Sequence, residues 1–130
     1  MAKAKRSTIV KKLDTVFSRY IRKREADHDG IAECFTCGRK AHWKDLQCGH
    51  FQTRKKYTTR WHELNVAPQC GGCNMYNGGQ QYIFGLKIDR IHGEGTAEDL
   101  VRQSNQITKY SNLDLINLTK HYQQLLNELE

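Results

Sequence analysis

Cys34-Phe-Thr-Cys37 and Cys70-Gly-Gly-Cys73 place four of the five cysteines in two C-x2-C pairs with 32 residues between them. Two thiolates on each of two tight turns are the soft donors of a closed, tetrahedral zinc site. Glycines at 38, 71 and 72 suit the cramped backbone that such knuckles need. A four-thiolate site leaves no coordination position open, so this zinc is expected to hold the fold and not to react. Thiols packed in a core, or disulfides, are the other readings. The first seldom repeats this spacing. The second needs an oxidising compartment, and the basic start Met1–Arg6 leads into no apolar run that would act as an export signal. The expected location is therefore cytoplasmic. Cys48, the fifth, is expected to be a small buried apolar side chain.

A second set of residues lies between and just after the pairs: His50 in Gly49-His50-Phe51, Asn65 in Leu64-Asn65-Val66, and Asn74 directly after Cys73. An imidazole whose ordinary pKa is about 6.5 can accept a proton from water at neutral pH. An amide oxygen is a hard ligand suited to Mg²⁺ or Mn²⁺. Singly, a histidine in a strand is usually structural, and an asparagine after C-x2-C is usually a turn residue. Their order around one metal knuckle is what points to catalysis.

Charge points the same way. Residues 1–60 carry sixteen Lys/Arg against six Asp/Glu, and residues 61–130 five against eight. Such asymmetry favours a polyanionic partner held by the first half, DNA above all. Thr53–Arg60 adds Arg54, Lys55, Lys56 and Arg60 just beyond His50 as expected phosphate contacts. Lys11, Lys12, Arg19, Arg22, Lys23 and Arg24 lie on the preceding helix. A merely solvated basic face is the alternative. No apolar run approaches the roughly 18 residues of a membrane span.

The positioning elements follow from periodicity. Ile9, Leu13, Val16, Phe17, Tyr20 and Ile21 recur at helical spacing over 8–26, stopped by Asp27-His28-Asp29-Gly30. Residues 46–51 and 64–67 read as two short strands joined by the basic loop, with a helix beginning at the second cysteine pair. Another helix is expected over 80–91 from the apolar set Tyr82, Ile83, Leu86, Ile88 and Ile91, a capping box at Thr96–Asp99 opens a short one, and Ser111–Asp114 opens the last. Leu115, Leu118, Tyr122, Leu125 and Leu129 form an apolar stripe that would pack on the chain's own core or form a homodimer seam. The expectation is one domain, 1–130: a basic N-terminal helix (1–30), a zinc and catalytic core (31–79) and C-terminal helices (80–130).

The string Cys34-x2-Cys37, Gly49-His50-Phe51, Arg60-Trp61-His62-Glu63-Leu64-Asn65, Gln69-Cys70-x2-Cys73-Asn74 resembles the HNH, or His-Me finger, nucleases. It is most similar to their zinc-containing branch, and within that to the phage NinG (Rap) recombination endonucleases. The resemblance spans roughly residues 15–105. It implies an α+β fold with a ββα-metal core stapled by a four-cysteine zinc site and flanked by helices. It also implies metal-dependent DNA endonuclease activity on branched intermediates such as Holliday junctions or D-loops. The implied roles are His50 as general base, Asn74 as ligand of the catalytic Mg²⁺ or Mn²⁺, and Asn65 bridging the hairpin and orienting His50 through its amide. One departure matters. The superfamily commonly carries an acidic residue or histidine before the base as second metal ligand, where this chain has Gly49. Gln47, Asp45, Glu63 or His62 could replace it. Two rival functions stay open: a non-catalytic zinc-stabilised DNA-binding module, and a sequence-specific HNH nuclease of restriction or homing type.

Overall fold

The structure, a computed structural model, describes residues 4–129; Met1–Lys3, part of the basic start, lie outside the described residues. Helix α1 spans Arg6–Arg24 and buries Ile9, Leu13, Val16, Phe17 and Ile21 along one stripe. Its basic last turn, Arg22-Lys23-Arg24, suits the negative end of the helix dipole. Strands β1 (Ile31–Glu33) and β2 (Lys40–His42) pair antiparallel and carry the first knuckle at their turn. Periodicity gave no sign of this three-residue pair, because strands this short carry almost no alternation.

Strands β3 (Gln47–His50) and β4 (Val66–Gln69) form the second antiparallel pair, with His50 opposite Val66 and Gly49 opposite Ala67. The connection is not all loop: Tyr57–Arg60 forms one helical turn, α2. Because side chains alternate across a strand, the hairpin separates two cores. Val66 joins α1, Trp61, Leu115 and Tyr122 on one side, while Ala67 joins Phe51, Phe84, Ile88, Ala97 and Leu100 on the other.

The helix expected to start at the second cysteine pair is interrupted. A wide π turn covers Gly72–Tyr76, and the backbone then turns left-handed at Gly78, Gly79 and Gln80 before α3 (Gln81–His92) begins. The buried Gln69 amide donates to the Gly79 carbonyl at 2.9 Å and so holds the break in place. Gly85 of α3 admits the Phe51 ring, whose nearest atom would lie 3.0 Å from a Cβ there.

The cap of α4 (Thr96–Ser104) also differs from expectation. Gly95, at φ 93°, is the residue before the helix, and the Thr96 hydroxyl donates to the Gly93 carbonyl. The Ala97 N–H is met at 2.8 Å by Asp89 of α3. Helix α5 (Asn112–Glu128), in contrast, opens on the expected reciprocal Ser111–Asp114 box. Leu115 and Tyr122 are buried, with Leu118 and Leu125 packed on the same cluster. Tyr122 meets Phe17 edge-on at 4.8 Å between ring centres. The apolar stripe thus lies on α1, and of its members Leu129 is exposed. The resulting architecture is α+β, with two small antiparallel sheets and helices around them. Among the described residues no helix is long and apolar enough to cross a membrane.

Candidate active site and metal centre

The four knuckle cysteines converge, their sulfurs all within 4.8 Å of one another. Cys37 Sγ and Cys70 Sγ lie 3.8 Å apart. That matches the edge of a tetrahedron with metal–sulfur bonds of about 2.3 Å, roughly 3.8 Å. The backbone assists: the Cys73 N–H points at Cys70 Sγ at 3.5 Å, and the Thr36 hydroxyl sits 3.6 Å from Cys34 Sγ. Burial opposes ionisation of Cys34, but the N–H groups of Cys70 and Cys37 and the Thr36 hydroxyl outweigh it and bring the thiol down to about 6. At Cys73 the Thr36 hydroxyl favours the thiolate, yet burial and the three neighbouring thiols prevail and raise it. A cation at the centre would relieve that mutual opposition. Donor type, number and spacing all fit zinc. Cys48 stands apart from this cluster; it packs against the α1 core, and burial pushes its thiol up to about 12.

His50, at the end of β3, points toward α1. Its Nε2 lies 3.0 Å from the Arg60 carbonyl, so it must carry the proton there and leave Nδ1 as the basic atom. Burial lowers its pKa, opposed by the Arg60 carbonyl and reinforced by the Arg54 cation. The imidazole is accordingly neutral at pH 7.

Asn74 shares one cleft of about 330 Å³ with His50, along with Gln47, Cys48, Arg54 and Asp14. Its amide nitrogen donates to Gln47 Oε1 at 2.7 Å, which turns the Asn74 carbonyl oxygen outward for other partners. Of Gln47, Asp45, Glu63 and His62, only Gln47 lines this cleft. Glu63 is bound by Arg24 at 2.6 Å and by the Tyr122 hydroxyl, while His62 Nδ1 accepts from the Leu64 N–H.

Asn65 is fully buried but does not touch the imidazole. Its amide donates to the Gln52 and Thr59 carbonyls at 3.1 and 3.0 Å and accepts the Gln52 N–H at 2.8 Å. Asn65 thus ties Gln52 to Thr59 within the connection between β3 and β4.

The most consequential residue that sequence reading missed is Asp14. It receives Arg60 through Nη2 and Nε, Arg54 through Nη2 and the Trp61 indole N–H, so its oxygens are saturated. A signal was present: Asp14 is the one carboxylate in the nineteen residues of an otherwise cationic α1. Asp14 holds Arg60, whose guanidinium is 12% exposed and lies near Trp61, yet still lines the groove between α1 and the loop. Lys55 and Lys56 are exposed, Lys56 reaching Asn105. Arg54, 60% exposed, instead joins Arg6, Lys11, Arg19 and Arg22 along a groove of about 880 Å³ between α1 and the loop. That groove opens into the His50 cleft through Asp14, Ser18, Arg22 and Arg54, which line both.

The family profile described as Bacteriophage Lambda NinG protein matches residues 1–130, the whole chain. The chain belongs to the NinG family. No curated protein and no solved structure matches it.

In this NinG-family chain the residue before His50 is glycine for a local reason. A Cβ at position 49 would run into the Gln69 side chain, with Gln69 Cδ 2.5 Å away. Gln69 is itself fully buried, tied to the Thr36 hydroxyl and the Gly79 carbonyl, so it cannot swing aside. Its Oε1 is a buried side-chain oxygen without a hydrogen-bond partner, facing Gly49. A carboxylate at 49 would therefore point at Gln69 and away from the cleft. Gly49→Ala is expected to lower stability by about 1–3 kcal/mol through overpacking. Chemical denaturation should show that loss and its partial recovery in the Gly49→Ala/Gln69→Ala double variant. Equal stability of Gly49→Ala and the native protein would refute the steric account.

Proposed function

We propose that the chain is a metal-dependent DNA endonuclease of the HNH, ββα-metal type, acting on branched recombination intermediates such as Holliday junctions and D-loops. The observation that carries the reading is one cleft shared by a neutral histidine, with Nδ1 unprotonated, and by Asn74, opening into a cationic groove. In this reading strands β3 and β4 and the segment from Cys70 onward are the ββα unit, and the four-cysteine zinc secures both ends.

Phosphodiester hydrolysis needs an activated water, a Lewis acid at the scissile phosphate and charge stabilisation of the leaving oxygen. His50 Nδ1 takes the proton from water, and the Arg60 carbonyl stabilises the imidazolium that forms. The Asn74 carbonyl oxygen holds Mg²⁺ or Mn²⁺, which when bound supplies the Lewis acid. Gly49 offers no ligand and Asp14 is saturated, so of the residues lining the cleft Asn74, with Gln47 beside it, would hold the ion. Asn65 and Asp14 keep the Arg60 carbonyl where His50 needs it. Arg54, Lys11 and Arg19 hold the DNA backbone.

The test is incubation of the purified chain with labelled linear, nicked, flapped and four-way DNA, with and without Mg²⁺ or Mn²⁺. Preferential, metal-dependent cutting of branched substrates is expected. Binding without cutting under any divalent metal would favour the non-catalytic module, and one cut at a fixed motif in linear duplex the restriction type.

The groove makes a further prediction. Lys11→Ala/Arg19→Ala/Arg54→Ala should flatten the slope of log K against log salt by about 2.7, three phosphate contacts at roughly 0.9 each. Lys55→Ala/Lys56→Ala should leave it nearly unchanged. Fluorescence anisotropy across a salt series separates the two, and the opposite ranking would move the DNA surface to the outer face of the loop.

A further inference from the structure

A second cationic pocket, of about 560 Å³, lies on the other side of Arg19 and Arg22 from the groove. Its wall is the half-buried ring of Trp43, in the short turn Trp43–Asp45. Three cations lie over the ring, Arg22 at 5.3 Å from its centre, Lys44 at 5.8 Å and Lys23 at 5.9 Å, and the His42 ring lies 5.9 Å away. Arg19 completes the cations, and the α5 residues that close the pocket, Gln123, Leu126 and Asn127, are uncharged.

The cations differ in kind. Arg22 is fixed by bonds to the Ser18, Trp43 and Leu46 carbonyls, so it is a rigid positive post against the ring. Lys44 is exposed at the rim, on a flexible stem. Gln123 donates to Asn127 Oδ1 at 3.0 Å, which turns Gln123 Oε1 and Asn127 Nδ2 toward other partners. An aromatic face, amides beside it and phosphate-binding cations at the rim are the parts of a nucleotide site in single-strand binders. A base paired in duplex has its faces covered by its neighbours and cannot use the ring.

We infer that the Trp43 pocket binds an unpaired nucleotide of single-stranded DNA, with the base on the Trp43 ring and its phosphates on Arg19, Lys23 and Lys44. A base entering the pocket takes the place of a lysine on the ring, and the displaced ammonium meets its phosphate. The inference rests on the reading of the chain as a DNA-binding protein, and extends it. Arg19 and Arg22 line both the pocket and the groove, so a strand leaving the duplex in the groove reaches the pocket without a gap in positive charge. Selection for D-loops and flaps over intact duplex then arises here, because their displaced strand offers unpaired bases.

The test uses tryptophan fluorescence of the full chain titrated with short oligothymidylate in EDTA, where no cleavage step enters. The chain has two tryptophans, and the other, Trp61, is buried in the α1 core. Oligothymidylate should quench the native emission. Trp43→Phe should lose the quench but bind nearly as well, since a ring remains. Trp43→Ala should bind at least about fivefold more weakly, the lower end of the usual worth of one stacked base. Affinity for blunt duplex should be the same in all three proteins, and melting curves confirm that each is folded. Native affinity for oligothymidylate in Trp43→Ala overturns the inference, as does equal quenching by polyglutamate, which would make the pocket a general polyanion site. Failure of the cleavage assay with an intact quench would sink the nuclease reading alone.

Discussion

His50→Ala is expected to lose DNA cleavage by about 10²–10⁴-fold, the usual contribution of a positioned general base. DNA affinity should barely change, because the imidazole acts on a water and not on the bound phosphate. Melting should also be close to native, since His50 is not among the converging cysteines. Burial sets the pH dependence. A base whose pKa lies below the ordinary value of about 6.5 is already unprotonated at neutrality. The rate should therefore be flat around pH 7 and fall only as pH drops below that value. Stability should move in the same direction. Below about pH 6.5 the unfolded chain takes up a proton at this histidine more readily than the folded one, so stability is lost as pH falls through the folded pKa. Asn74→Ala should also lose activity, but high Mn²⁺ should restore part of it, because metal occupancy is weakened and the base is intact. A His50→Ala protein that cuts every tested DNA at the native rate would remove the catalytic reading.

Cys34→Ser should strip the zinc and unfold the centre of the domain. Apparent zinc affinities of four-ligand knuckles correspond to roughly 10–16 kcal/mol, while a whole domain is stable by only about 5–15 kcal/mol. The strands that carry the two knuckles are also short, β1 and β2 three residues each and β3 and β4 four each. Elemental analysis of protein purified without added metal should give about one zinc per chain, and chelation should reproduce the variant's lower melting temperature. Cys48→Ala is the contrasting case: it should keep all its zinc, since Cys48 packs against the α1 core apart from the cluster. A Cys34→Ser protein with full zinc and native melting would show that the four thiols do not form the site.

Local chemistry was legible in the chain itself. Two C-x2-C pairs specify a soft tetrahedral donor set wherever the backbone lets them meet, and they do meet. The apolar spacing of α1 and α5 and the Ser111–Asp114 cap are properties of neighbouring residues, so they could be read without the fold. The two central strands were legible for the same reason, within a residue or two at each end. On α3 the apolar spacing misled: Tyr82, Ile83, Leu86 and Ile91 are exposed, and Phe84 and Ile88 face the core. What lay outside the sequence was every choice made between distant segments. Glycine at 49 depends on the buried Gln69 side chain, which also holds the Gly79 carbonyl. The first turn of α4 is capped by Asp89 of α3, upstream of Thr96 and invisible to a capping-box pattern. Most of all, Asp14 gathers Arg54, Arg60 and Trp61 from forty or more residues away. That ion pairing ties Arg60 to α1, and the Arg60 carbonyl fixes which nitrogen of His50 is basic. Asp14 pairs with both Arg54 and Arg60, leaving the first 60% exposed and the second 12%, and only the tertiary packing of α1 on the hairpin decides that.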